Sequence, residues 1–472
     1  MSPRTPLLAR RLAVLAVIGA TATTSLVQAS SPDPAASAPG VRLTAAEPNP
    51  VTPGDFTGYG FDQCLTPSQQ SMDAWWSNSP FTAVGVYISG DSRACRDQPN
   101  LTASWVRHQM ARGWRILPIT LGPQASCQPR FPRYGDDATI ISKPGADDTY
   151  AKARAQGRAE ASKSVAAADA LGIVSGSTLW YDLEGFDLGK TRCRLSAMSF
   201  LSGWTTQIHA LGYVSGVYSS AGSGIKMLDD ARAAKTPGVT LPDAIWIARW
   251  DGLATTSTDY IRDDGWRPGG RMKQYQGGHD ETWGGVTINI DRNWLDLGEG
   301  STAAKEADHC GGVRINFPDY PTLKAPTTAA DGSVTAPDAR LVSALQCRLT
   351  QVGLYTGAIN GRYTTRTLAA VNAWQARTEA PTRTSFTRRN WMSLLAQGQQ
   401  KVQKRGLTGP LVRRVQRALN AWSTDSQIVV TGVFDGKTER AVQAYQQAVG
   451  LRSGGVVDAL TWTSLKEGVR RR

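Results

Sequence analysis

Between residues 56 and 300, short apolar runs of strand length alternate with longer amphipathic stretches, and this alternation constrains the fold more than any other feature. The strand candidates are Tyr59–Asp62, Ala83–Ile88, Arg115–Thr120, Leu179–Glu184, Tyr213–Tyr218, Ala244–Ala248, Met272–Tyr275 and Thr287–Asp291. Between them lie segments with helical spacing of apolar residues, such as Leu101–Arg112, Tyr150–Leu171 and Ser196–Leu211. Strands that alternate with helices call for a parallel sheet covered by those helices. Eight such units predict an α/β fold, a (β/α)8 TIM barrel. An open doubly wound sheet is the alternative.

The flanks divide differently. Arg4, Arg10 and Arg11 precede an apolar run, Leu12–Val27, and Val27-Gln28-Ala29 offers small residues for cleavage, so residues 1–29 read as an export signal. Either the general or the twin-arginine route is open. Residues 30–55 and 301–337, rich in Pro, Ala, Ser and Thr, read as linkers. With 41% apolar and 19% charged residues the chain is too apolar for a disordered one, yet no later run reaches about 18 apolar residues, so a membrane span is not expected. The remainder repeats itself at a spacing of about 71 residues. Leu341–Gln346 echoes Leu411–Gln416, Val371–Gln375 matches Val442–Gln446, and Trp391–Leu394 matches Trp462–Leu465. Leu, Val and Trp recur at three- and four-residue spacing, so each copy, 338–398 and 405–468, is expected to be a small all-α domain of three short helices.

Charge is split along the chain. Residues 340–472 hold 21 Lys and Arg against 6 Asp and Glu, whereas residues 31–339 hold 28 against 33. A mildly acidic body thus carries a strongly basic tail, which would attract a polyanion. For an exported chain the anionic polymers of a cell wall are the expected partner; the tail lacks a nucleic-acid-binding signature. The chain is expected to be a secreted, wall-associated monomer. The six cysteines, Cys64, Cys95, Cys127, Cys193, Cys310 and Cys347, suit an oxidising compartment and form no CxxC pair. Six cysteines permit 15 pairings. Cys95 and Cys127 follow neighbouring strands and are one candidate bridge; Cys310 and Cys347 are another.

Three of the strand candidates end in carboxylates: Asp62, Asp182-Leu183-Glu184 and Asp291. Side chains two apart on a strand share a face, so Asp182 and Glu184 are expected to project together into the barrel mouth. Ionising both there would be costly, and one of them is expected to keep its proton, as a general acid must. Tyr181, Tyr218, Trp246, Trp250 and Tyr275 are candidate stacking faces for a ligand near the mouth. The four histidines, His108, His209, His279 and His309, show no HExxH or other metal spacing, and there is no Gly-rich phosphate loop. Metal-dependent and Ser-His-Asp chemistry are disfavoured, and no cofactor or metal is expected.

Residues 56–300 resemble the bacterial glycoside-hydrolase-like barrel family. The resemblance runs through Gly60-Phe61-Asp62-Gln63-Cys64, Tyr87-Ile88, Trp114 through Pro118, Trp180–Glu184, Gly212–Ser220, Ile245–Ala248, Gln274-Tyr275 and Gly284–Asp291. That family is in turn similar to the muramidases of glycoside hydrolase family 25, with a first-strand Asp, an Asp-x-Glu strand and a late Asp. Carried over, these are Asp62, Asp182, Glu184 and Asp291. Gln63-Cys64 stand where the muramidases have a small aliphatic residue and Ser. The repeats resemble the peptidoglycan-binding family of three-helix domains, the second copy most closely through Val433–Thr438, where Thr438 is the expected cap of the following helix. The first copy has Ala380–Arg389 in place of the family's Gly-Asp-Gly turn; Trp374, Tyr445 and Trp462 are expected in the cores. Together the resemblances imply hydrolysis of a β-1,4 bond in peptidoglycan, with a non-catalytic glycan-binding barrel or hydrolysis of another polysaccharide as rivals.

Overall fold

The computed structural model describes residues 47–129, 134–425 and 427–471, so the export signal and most of the first linker lie outside the described residues. Eight strands, β1 (Phe56–Asp62), β2 (Ala83–Ser89), β3 (Arg115–Thr120), β4 (Thr178–Asp182), β5 (Val214–Ser220), β6 (Ala244–Ala248), β7 (Gly270–Trp283) and β8 (Val286–Leu297), close into a barrel in chain order. β1 to β7 pair in parallel. β8 runs antiparallel to both neighbours, in register Phe56↔Leu297 through Asp62↔Asp291 with β1. The barrel therefore departs from a fully parallel (β/α)8 arrangement. Gly284 and Gly285 alone connect β7 to β8, and two residues can close a hairpin but cannot make a crossover.

Strand alternation divides the apolar residues into two layers. Leu117, Trp180, Trp246, Met272 and Leu295 fill the barrel interior. Phe61, Leu179, Tyr181 and Val217 face outward and pack with the helices. Five of these are α1 (Gln69–Asn78), α2 (Ala103–Arg112), α3 (Ala151–Ala170), α4 (Thr191–Ala210) and α5 (Lys226–Ala233). Ser68 and Thr102 cap α1 and α2 by accepting from the backbone N–H groups of Ser71 and Trp105. The disulfides are Cys64–Cys95, Cys127–Cys193 and Cys310–Cys347. A Cys95–Cys127 bridge is thereby excluded: Cys95 is held to the end of β1, and Cys127 to α4.

The repeats form α6 (Ala339–Gln351), α7 (Thr365–Arg377) and α8 (Arg388–Leu395), then α9 (Pro410–Trp422), α10 (Gly436–Ala448) and α11 (Ala459–Lys466). Trp374, Tyr445 and Trp462 lie in their core, which runs continuously through both copies. The cap of α10 is Asp435 rather than Thr438, whose N–H and hydroxyl both donate to the Asp435 carboxylate. The 301–337 stretch is more than a spacer, because Ile315, Phe317, Tyr320 and Leu323 are buried in this same core. Its Glu306 pairs with Arg417, and its Cys310 is bonded to α6.

The second copy also rests on the barrel. Lys404 is fully buried; its ammonium donates to the carbonyls of Trp76 (2.8 Å) and Ser79 (3.0 Å) and sits 4.4 Å from the Trp76 ring centre. Arg405 lies over Trp294 on the outer face of β8, and Arg452 over Trp283 of the hairpin.

Candidate active site

Every strand from β1 to β6 delivers its C-terminal residue to one rim, the usual place for chemistry in such barrels. At that rim is a cleft of about 370 Å³, and Asp62, Asp182, Glu184 and Asp291 all line it. Asp62 and Asp182 end β1 and β4. Glu184 lies just past β4 and projects to the same side as Asp182, with Leu183 buried on the other side. Asp291 sits mid-strand, not at a strand end, and reaches the rim because β8 runs the opposite way and pairs it with Asp62.

Asp62 and Asp291 share a hydrogen bond. Burial pushes both carboxyls above the ordinary aspartate range; for Asp291 the neighbouring Asp62 charge adds to the effect, and for Asp62 the amides of Asn293 and Gln274 oppose it. Adjacent carboxyls in so dry a place cannot both ionise readily, so the pair holds one proton between them. The sequence reasoning looked for a proton on the strand that carries Asp182 and Glu184 and did not foresee one shared by Asp62 and Asp291. Gln274 Nε2 donates to Asp62 (3.2 and 3.3 Å) and Asp291 (3.2 Å), and Asn293 Nδ2 to Asp62 at 2.6 Å. These amides are oriented in turn. Tyr218 and Trp250 donate to Gln274 Oε1 at 3.0 and 2.9 Å, and Trp246 donates to Asn293 Oδ1 at 2.8 Å.

Asp182 accepts from the Tyr87 hydroxyl at 3.2 Å. Burial, then the carboxylates around them, push the Tyr87 and Tyr218 phenols well up, so both remain donors. Gln124 fixes the backbone between the two acids, donating to Asp182 O (2.9 Å) and accepting from Glu184 N (2.9 Å). Glu184 Oε2 accepts from Gln128 Nε2 at 2.8 Å and from the Tyr134 hydroxyl. Both donors come from the long loop after β3, which Cys127–Cys193 ties to α4.

Of the expected stacking residues, Tyr218 and Trp250 line the cleft, and Trp250 is 66% exposed. The other three do not. Tyr181 has the outward phase of β4 and packs between Phe200 and Trp204. Tyr275, one residue beyond the inward Gln274, is buried outside the barrel, where Arg292 hydrogen-bonds it. Trp246 points inward but is buried beneath the site, where it orients Asn293. Sequence reasoning missed Tyr87, Gln124, Gln128, Tyr134, Gln274 and Asn293 as site residues. Asn293 carried a signal, since it stands two residues from Asp291 on the same face of its strand. Among the described residues, no group of three or more His, Cys, Asp and Glu side chains could hold a metal ion, and no helix is long and apolar enough to cross a membrane.

Comparison with known proteins bears on both parts of the chain. Residues 73–295 match the Rv2525c-like, glycoside hydrolase-like domain family, and residues 408–465 match a family described as peptidoglycan binding. No curated protein sequence matches. Similar solved structures include the Mycobacterium tuberculosis Tat-secreted protein Rv2525c in complex with L-tartrate, at 14% identity and TM-score 0.34, covering 52% of this chain and 98% of that one. An uncharacterized B. stearothermophilus protein aligns at 16% identity and TM-score 0.32, covering 50% and 95%. The modular autolysin LytC from Streptococcus pneumoniae aligns at 11% and 0.31, covering 50% and 46%. The chain thus joins an Rv2525c-like, glycoside hydrolase-like domain to a C-terminal peptidoglycan-binding domain.

Proposed function

We propose that this is an exported, wall-associated protein whose barrel hydrolyses a β-1,4 glycosidic bond of peptidoglycan, muramidase-fashion. The observation that carries the reading is the convergence of Asp62, Asp182, Glu184 and Asp291 on one cleft beside the exposed ring of Trp250. The glycoside hydrolase-like and peptidoglycan-binding families matched by the two regions support it. Glu184 protonates the leaving oxygen as the C–O bond breaks. Asp182, steadied by Tyr87, orients the acetamido N–H of the substrate while its carbonyl oxygen attacks the anomeric carbon. Glu184 then takes a proton from the water that opens this intermediate; such substrate assistance is a known exception to the two-carboxylate scheme. The Asp62–Asp291 pair, carrying one charge, stabilises the positive charge that develops on the sugar. In an inverting variant one of these two would activate the water instead. The basic tail holds the anionic wall.

The test compares Glu184→Gln with wild type on purified peptidoglycan, following released reducing ends and wall binding separately. Hydrolysis is expected to fall by about a thousandfold or more while binding persists. A variant that solubilises wall at the wild-type rate overturns the assignment.

One observation favours a barrel that binds glycan without cutting it. Gln128 and Tyr134 both donate to Glu184 Oε2, which holds this carboxyl as an acceptor. Under that reading, wild type binds wall and releases no reducing ends at any pH.

A further inference from the structure

Where the barrel meets the second repeat lies a groove of about 530 Å³, larger than the catalytic cleft. The ends of α1 and α2 form one wall of it, with Trp76 and Arg112. The chain that enters the second repeat forms the other, with Lys401 and Leu407. Among the described residues that line it, the charged ones are Arg112 and Lys401, and neither Asp nor Glu stands with them. The catalytic cleft, built from four carboxyls, has the opposite character.

The surroundings leave these cations largely uncompensated. Arg112 lies 3.5 Å from Asp73 Oδ1, an oxygen that His108 also approaches at 3.8 Å, and no hydrogen bond joins them. Lys401 is exposed, and among the described residues its ammonium pairs with no carboxylate. Its backbone carbonyl accepts from Trp462 Nε1 at 2.8 Å, which fixes the point from which the side chain departs. A third cation, Lys404, lies 4.4 Å from the ring centre of Trp76 and has two carbonyls, not a carboxylate, for partners. Burial makes that charge costly, and the neighbouring Arg112 adds to the cost. Three positive charges gathered about one indole thus repel one another, and an anion in the groove would offset the repulsion. The groove has room for far more than one small ion. It also offers the Gln400 amide and the Thr408 hydroxyl beside the apolar Trp76 and Leu407. That set suits a polymer in which anionic groups alternate with hydroxyl-bearing carbons.

We infer that this groove binds a segment of a phosphodiester-linked polyol chain, with phosphates at Arg112 and Lys401. The inference rests on the reading of the protein as wall-associated. It moves part of the grip from the diffuse charge of the tail to one place, which exists only while barrel and repeat are docked, because each contributes one of the two cations.

The test titrates the full chain calorimetrically, at fixed ionic strength, with a soluble glycerol-phosphate oligomer, with inorganic phosphate and with a neutral polyglycerol of equal length. The oligomer should bind at least about tenfold more tightly than inorganic phosphate, because one chain engages both cations. The neutral chain should not bind. Arg112→Gln and Lys401→Gln should each weaken the oligomer by about three- to tenfold. Arg366→Gln removes the same charge from an exposed position on α7 and should weaken it by less than about twofold. Circular dichroism confirms that each variant is folded. Equal losses from all three substitutions would mean diffuse attraction and overturn the inference, as would binding of inorganic phosphate or the neutral chain as tight as that of the oligomer. Purified wall serves as the separate check on the underlying reading. Wild type that binds wall while Arg112→Gln and Lys401→Gln bind the oligomer undiminished strikes this groove alone, whereas wild type that binds no wall strikes the wall-associated reading itself.

Discussion

Asp62 and Asp291 make the site sensitive to pH in a direction that can be stated. Both hold a proton more tightly folded than unfolded. The stabilisation tied to that proton is therefore complete below the ordinary aspartate range, near about pH 4, and is lost as pH climbs through the raised values. Asp291→Asn removes the second charge while keeping a hydrogen-bonding group beside Asp62 and Gln274. Chemical denaturation should find the variant more stable than wild type at about pH 8, by about 1–3 kcal/mol, and the difference should vanish towards about pH 4. A gap that stays constant across this range would mean the pair shares no proton. At this scale the acids were legible in the sequence as a set rather than singly. A lone carboxylate there is more often a helix cap or half of a salt bridge, and it was three strand ends together with the two-residue spacing of Asp182 and Glu184 that set them apart. The aromatics were not, since Tyr181 and Tyr275 differ from useful neighbours only in strand phase, and the one-residue step that decides phase depends on where each strand enters the barrel. Gln274 and Asn293 passed unnoticed because an amide has no titration to advertise it.

Among the elements, β8 decides the geometry. A parallel eighth strand would bring its C-terminal end to the rim, and Asp291 would face Asp62 only by accident of length. Run backwards, β8 sets the two acids opposite each other in a one-to-one register. Strand periodicity reads identically in both directions, so alternation could not reveal this. The Gly284-Gly285 pair could have, because two residues between strands permit a hairpin and nothing longer. The loop after β3 matters for a different reason. It carries Gln128 and Tyr134 to Glu184, and Cys127–Cys193 is its covalent tie to α4. Replacing both cysteines by serine should cost about 2–4 kcal/mol in stability. It should also lower the rate on peptidoglycan more than the affinity, because the support of Glu184 loosens while Tyr218, on β5, and Trp250, in the loop after β6, keep their places. Equal rate and affinity losses would instead point to general unfolding.

Among the described residues, a buried cation joins the barrel to the repeats. Lys404 joins the second repeat to the barrel by satisfying the carbonyls of Trp76 and Ser79, which the end of α1 leaves without helical partners. Burial pushes its pKa well down, whereas the two carbonyls and the faces of Trp76 and Trp114 favour the charged form. The same repeat covers the side of the barrel where no helix follows β6 or β7, through Arg405 on Trp294 and Arg452 on Trp283. A tail read from its sequence as a tether is therefore a fixed part of the barrel wall, and whatever it grips is presented to the cleft at a set distance rather than at a concentration averaged over a flexible linker. Lys404→Ala strands two buried carbonyls and opens a cavity between two indoles. It should cost about 2–4 kcal/mol, and in denaturant the barrel and the repeats should unfold in separate steps where wild type shows one. Lys401→Ala, three residues away at an exposed position, should change stability by less than about 0.5 kcal/mol. Were Lys404→Ala to unfold in one step at the wild-type midpoint, the repeats would have to be held by their other contacts with the barrel, among them Leu407 against its core, the Arg405 carbonyl on the Thr82 hydroxyl and the arginine–aromatic pairs. The fixed spacing between tail and cleft would then no longer depend on this residue.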